Sequence, residues 1–159
     1  MRTSWRLLNK YIQINKDIKE FADCLTRQGL EVEGIEKIGV SVDQVVVGKI
    51  LKKEKHPDAD KLTVCQVDVG TETLQIVCGA KNHQEGNKVV ISLVGATLPN
   101  GLKIKKAKLR GVESSGMICS KTELGLEKES DGVWILSEDA QIGAPISKYL
   151  PEEDTIFHI

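Results

Sequence analysis

From Leu102 to Arg110 the chain carries five basic side chains, Lys103, Lys105, Lys106, Lys108 and Arg110, and no acid. Cations at this density bind phosphate oxygens, so the chemistry on offer is recognition of a polyanion rather than bond making. Lysines also guard exposed strand edges against aggregation, and the charge pattern alone leaves that second reading open. Neighbouring stretches sharpen the segregation: Lys49 to Lys61 holds five lysines against three acids, and Glu113 to Asp139 seven acids against two lysines. The whole chain has a formal charge of −1, so any affinity for nucleic acid must come from this local distribution.

Other chemistry-bearing residues point elsewhere. His56, Asp58 and Asp60 stand close together, but His56-Pro57-Asp58-Ala59-Asp60-Lys61-Leu62 reads as a loop, with Pro57 fixing the turn and the Asp side chains bonding nearby backbone N–H groups. The four cysteines lie at 24, 65, 78 and 119, with no paired spacing of the kind zinc sites use. Cys65, Cys78 and Cys119 sit in apolar strand-like runs and read as small buried hydrophobes, reduced thiols of a cytosolic protein. No nucleophile elbow, phosphate loop or dinucleotide fingerprint occurs, and Ser114-Ser115-Gly116 has no base beside it; the chain carries no catalytic constellation and no metal site. Between Phe21 and Tyr149 the one aromatic is Trp134, in the core-like run Val133-Trp134-Ile135-Leu136. Readers of unstacked bases use several exposed aromatic platforms, so RNA binding here is expected to address backbone and shape.

The elements that must position these residues follow from the hydrophobic period. Ser4 reads as an N-cap, with Trp5, Leu8 and Ile12 on one helical face. Asn15 is expected to cap a second helix, in which Ile18, Phe21, Ala22 and Leu25 form an apolar stripe and which Gly29 stops. A short strand is expected at Leu30–Glu33. From Val40 the period becomes that of strands, expected near Val45–Lys53, Leu62–Val69, Leu74–Cys78, Lys88–Leu93, Lys103–Leu109, Gly116–Cys119 and Gly132–Leu136, with a helical turn at Ser120–Leu126. Many short strands with glycine at the corners predict a small barrel. On a strand through 103–109, Lys106, Lys108 and Arg110 would share one face and Lys103 and Lys105 the other. Pro151–Asp154 reads as a linker and Thr155–Ile159 as the start of another strand, so the chain is expected to be the first part of a longer protein. No apolar run reaches the roughly 20 residues a bilayer demands, and none follows Met1 as a secretion signal would.

The motifs then become familiar. His56–Leu62, Val77-Cys78-Gly79-Ala80-Lys81-Asn82, Gly95-Ala96-Thr97-Leu98-Pro99, the run from Ile104 to Ser120 and Glu123-Leu124-Gly125-Leu126 together resemble the tRNA-binding barrel family. That family adds an OB-fold domain to several aminoacyl-tRNA synthetases and to free tRNA-binding proteins. Lys81 departs from its pattern, where proline is common. The flanks, Trp5–Tyr11 and Leu25–Glu33, resemble the N-termini of bacterial phenylalanyl-tRNA synthetase beta subunits. The resemblance implies a mainly β chain, an OB-fold barrel at 40–150 inserted in a partial α/β domain made of 1–39 and 151–159. It implies tRNA binding, with Lys103, Lys105, Lys106, Lys108 and Arg110 as phosphate contacts, and Ser115, Met117 and Ser120 carried over from the motif. It places catalysis, ATP and magnesium elsewhere in the parent enzyme, with no cofactor in this segment. The implied partners are tRNA, the alpha subunit and the remaining beta-subunit domains; no membrane is involved and the setting is cytoplasmic. Two rival roles stay open: a barrel that packs against other synthetase domains and touches tRNA little, and a tRNA-binding module of another synthetase, against which the leading helical segment counts.

Overall fold

A computed structural model describes residues 1–40 and 42–159. The chain divides into two compact units, one of residues 1–41 with 151–159 and one of residues 42–150.

The first unit is built around a strand from the far end of the chain. β1 (Arg2–Ser4) leads directly into α1 (Trp5–Tyr11); α2 (Ile18–Arg27) and β2 (Gly34–Ile38) follow. The last strand of the chain, Asp154–His158, lies between β1 and β2 and pairs antiparallel with both. Ser4 caps α1 by accepting from the Leu7 N–H at 2.9 Å, and its hydroxyl donates to Asp154. Trp5, Phe21 and Phe157 meet edge to face with centroids 5.2 to 6.0 Å apart, the geometry that aromatic quadrupoles favour. Two expectations are corrected. The cap of α2 is Asp17, not Asn15, because Asp17 and Glu20 each accept the other's backbone N–H in a reciprocal box. The strand expected at Leu30–Glu33 lies instead at Gly34–Ile38, where the Asp154–His158 strand supplies its ladder. Residues 30–33 form a connection, tied by the Leu30 N–H to Leu25 O and the Val32 N–H to Thr26 Oγ1.

The second unit is mainly β and forms an OB-like barrel. Its strands are β3 (Val45–Lys55), β4 (Thr63–Asp68), β5 (Thr73–Cys78), β6 (Lys88–Ser92), β7 (Ala107–Leu109), β8 (Val112–Ser114), β9 (Met117–Ile118) and β10 (Ile135–Leu136), which makes Asp154–His158 β11. The principal sheet runs β10-β6-β3-β4-β5, with β9 also on β6, and β7 and β8 pair separately. β3 turns the corner: Val45–Lys49 pairs with β6 and Lys49–Lys55 with β4, and a bulge between Ile50 and Lys52 bends it. On the side opposite β3, the Ser115 N–H donates to Gln75 O and the Val77 N–H to Ser114 Oγ, carrying β5 onto the chain that leads into β9. Ile50, Cys65, Val67, Ile76, Val89 and Ile91 fill the interior. Cys65 and Cys78 lie on strands and Cys119 just after one, all buried and unbridged. Burial pushes each thiol up, Cys119 to about 11, so all three stay protonated at neutral pH.

Gly48 sits where β3 is most crowded. A Cβ there would lie 2.6 Å from Ile91 Cγ1 and 2.7 Å from Val67 Cγ1, both core atoms. Gly48→Ala is therefore expected to cost about 1–3 kcal/mol by overpacking. Urea unfolding checks this, and an unchanged midpoint would show that the two strands separate freely.

Three barrel expectations also change. Of the strand expected at Lys103–Leu109, Ala107–Leu109 is regular; Lys103 forms an isolated bridge with Thr97. Ser120–Leu126 is a series of turns, not a helix. Trp134 is half-buried rather than core, with Lys121 Nζ 5.6 Å from its ring centroid.

Candidate nucleic-acid interface

The basic segment is held at both ends by short-range backbone bonds. Upstream, Gly95-Ala96-Thr97-Leu98 and Leu102-Lys103-Ile104 face each other: the Gly95 N–H donates to Ile104 O, the Ile104 N–H to Ala96 O and the Leu98 N–H to Leu102 O. Asn100 and Gly101 close that turn, with Gly101 at φ 87° and the Leu102 N–H donating to Asn100 Oδ1. Leu98 and Ile104 are buried, and the burial of Ile104 turns its neighbours Lys103 and Lys105 outward. Downstream, β7 and β8 make a hairpin whose last pair, Leu109 and Val112, leaves Arg110-Gly111 as a two-residue loop. Both loop residues have positive φ, 49° and 85°, as a type I′ turn demands. Holding an arginine in that region costs about 1 kcal/mol or more relative to glycine, and it puts the guanidinium at the hairpin tip.

All five cations of the segment are exposed, but they do not share one surface. Lys103 and Lys105 border a cavity of about 600 Å³ between β5, β7 and β9, with Met117, Leu109 and Val133 among its apolar walls. Ser120 and Glu123 add polar groups, and the Ser120 N–H donates to Glu123 Oε2 at 2.9 Å, which anchors the carboxylate at the start of the turn. Lys106 and Ser115 belong instead to a smaller cleft with Gln44, Glu72, Leu74, Leu93 and Val94. Lys106 also pairs with Glu113 at 3.6 Å; both side chains are more than half exposed, so the pair contributes little stability and restrains the charge only loosely. Lys108 and Arg110 belong to the hairpin. Residues 103–106 are irregular, yet Lys103 and Lys105 stand together at the cavity, and Lys106 pairs with Glu113, the residue opposite Lys108 on β8.

Several side chains hold this part of the barrel through contacts that their sequence context does not announce. Asn82 clamps the far cavity wall, its Nδ2 donating to Val133 O at 2.9 Å and its Oδ1 accepting from the Val133 N–H at 3.1 Å. Ser114 accepts from the Val77 N–H and donates to Gly116 O, stitching β8 to β5. His83 is fully buried, with Nε2 3.2 Å from Thr63 Oγ1 and 3.5 Å from Cys65 Sγ; burial, with Lys53 nearby, holds its pKa below the usual imidazole range. Asn82 stands inside the quoted Gly79–Asn82 motif, whereas nothing local marks His83. His56, in the loop before β4, is buried with both ring nitrogens engaged: Nδ1 lies 3.0 Å from the Asp58 backbone N and Nε2 2.8 Å from Leu109 O. Both nitrogens are thus committed to the protein itself.

Residues 45–145 match the family model described as "Putative tRNA binding domain". The chain belongs to this family. The matched span of the tRNA-binding domain contains the barrel strands, the cavity and the basic hairpin. Over its whole length the chain is 49% identical to the phenylalanine–tRNA ligase beta subunit of Fusobacterium nucleatum subsp. nucleatum, covering 20% of that protein. It is 46% identical to the protein of the same name from Geobacter sulfurreducens and 50% identical to that from Francisella tularensis subsp. tularensis, again covering 20% of each. The chain thus spans about a fifth of the length of these relatives. Among the described residues no helix is long and apolar enough to cross a membrane.

Proposed function

We propose that this chain is the tRNA-binding N-terminal region of a phenylalanine–tRNA ligase beta subunit, an OB-fold barrel at 40–150 inserted in an α/β domain of 1–39 and 151–159. The observation that carries the reading is the exposure of five cations on one short segment, around an amphipathic cavity and a hairpin tip, within a tRNA-binding domain. Lys103, Lys105, Lys106, Lys108 and Arg110 contact phosphates and set the pose of the RNA. Met117 and Ser120 line the cavity and Ser115 the adjoining cleft, where they meet sugar or base edges. Half-buried Trp134 leaves the barrel without the row of stacking platforms that base readers use, which supports recognition of backbone and shape.

Similarity over the whole of this chain to about a fifth of each ligase beta subunit supports a parent that joins phenylalanine to tRNA with ATP and magnesium in the cytoplasm, together with an alpha subunit and further beta-subunit domains. Among the described residues no group of three or more His, Cys, Asp or Glu side chains converges, and no chemical step is assigned to this chain.

The test is tRNA binding by this chain across a salt series. Up to five phosphate contacts predict a log–log slope of roughly −3.5 to −4.5. Absence of binding at low salt would overturn the proposal and favour a barrel that serves only to pack synthetase domains together.

A further inference from the structure

The loop His56–Leu62 does not touch the cavity, yet it reaches the basic hairpin. β7 and β8 form a two-stranded sheet of their own, and a lone hairpin is marginally stable in water. β8 is tied to the barrel by the Gln75 amide, which donates to Glu113 O at 2.8 Å, and by the Ser114 hydroxyl, which accepts from the Val77 N–H. For β7, among the described residues, the one hydrogen bond to the barrel body is from His56 Nε2 to Leu109 O, at 2.8 Å. Leu109 immediately precedes Arg110 and follows Lys108. An Asp58 backbone N–H can only donate and a Leu109 carbonyl can only accept. The two bonds therefore fix the tautomer with the proton on Nε2. The ring is 2% exposed, Pro57 stiffens the loop beside it, and the His56 N–H donates to Leu62 O, so the donor is held in place from three directions.

We propose that His56 is the positioning residue of the basic hairpin: through its Nε2–H it pins β7 to the barrel and aims Lys108 and Arg110 at the RNA backbone. The RNA half of this inference rests on the tRNA reading above; the pinning half does not. Two isosteric variants separate the pin from the loop's own stability. In His56→Gln the amide nitrogen occupies the place of Nε2 and can still donate to Leu109 O, while the Asp58 N–H, in an exposed stretch, turns to water. In His56→Asn the amide oxygen occupies the place of Nδ1 and keeps the Asp58 bond, but nothing reaches Leu109 O.

The experiment measures amide hydrogen exchange of the β7–β8 hairpin and tRNA affinity over salt for the whole chain in wild type, His56→Gln and His56→Asn. Loss of one net hydrogen bond predicts roughly two- to tenfold faster hairpin exchange in His56→Asn, with binding weakened by a similar factor and a shallower salt slope. His56→Gln should stay near wild type in both. The reverse order, with Asn near wild type and Gln impaired, would assign His56 to the loop and overturn the proposal. So would equal loosening of the hairpin in both variants. If wild type fails to bind tRNA while hairpin exchange still ranks Asn above Gln and wild type, the tRNA reading falls and the pin stands.

Discussion

Deleting residues 151–159 should unfold the first unit and leave the barrel's own unfolding transition in place. β11 is the middle strand of the three-stranded sheet, in register with β1 through Arg2–Ser4 and with β2 through Gly34–Ile38. Without it β1 and β2 have no partner, since they do not pair with each other. The deletion also removes Phe157, fully buried between Trp5 and Phe21, and Asp154, which accepts from the Ser4 hydroxyl at the cap of α1. Truncating one buried phenylalanine to alanine costs about 3–5 kcal/mol, which is of the order of a small unit's whole stability. A segment of about 40 residues cannot make up that loss from its remaining surface. Trp5 fluorescence and the dispersion of NMR signals from residues 1–40 report the first unit; the signals of β3–β6 report the second. Retained dispersion in residues 1–40 after the deletion would show that the helices and β2 fold without their central strand. Phe157→Ala alone should give the same pattern in milder form.

Replacing Lys103, Lys105, Lys106, Lys108 and Arg110 together by Ala should abolish tRNA binding at physiological salt. The change moves the formal net charge from −1 to −6, because five positive charges are lost. Each phosphate contact contributes a log–log salt slope of about −0.7 to −0.9, so removing up to five should flatten the dependence by roughly 3.5 to 4.5 units. Pairs of substitutions then locate the contact surface. Lys103→Ala with Lys105→Ala tests the cavity mouth; Lys108→Ala with Arg110→Ala tests the hairpin tip; each should remove roughly 1.4 to 1.8 units if both of its cations touch phosphate. Lys106 is paired with Glu113 and is expected to contribute least. The loss should be alike for cognate and non-cognate tRNA, because phosphate contacts position without specifying. An unaltered slope in the fivefold variant would place RNA binding, if any, on another surface. A loss confined to cognate tRNA would mean that base edges are read in the cavity.

How far the residues speak before folding depends on the range of the interactions involved. The longer strands of the barrel, β3 to β6, were legible because each alternates or runs apolar over five or more residues between turn signals, as in Val45–Ile50, Val64–Val69 and Lys88–Ser92; burial of one face selects them locally, whereas the three-residue β8 at Val112–Ser114 carries no such signal. The cap at Ser4, the stripe on α2 and the buried cysteines were legible for the same reason. β1 and β2 were not, because what makes them strands is β11, more than 100 residues away in the chain. Asn15 and Asp17 are both good caps by type, and the choice fell to Asp17 because Glu20 stands three residues on and can answer it.

The candidate interface divides in the same way. Residue types and spacing determined that one short segment is basic and acid-free and that aromatic platforms are scarce; the link to a tRNA-binding domain came from the resemblance of the motif set to that family. Strand alternation grouped Lys103 with Lys105, and both stand at the cavity. Only the tertiary structure decided that Lys106 borders a separate cleft beside Glu113 and that the positive φ of Arg110-Gly111 puts Arg110 at a hairpin tip. His56 read as a loop residue, and locally it is one. Its second bond, to Leu109 O, joins positions 53 residues apart, and a contact of that separation exists only once the barrel has brought the two loops together.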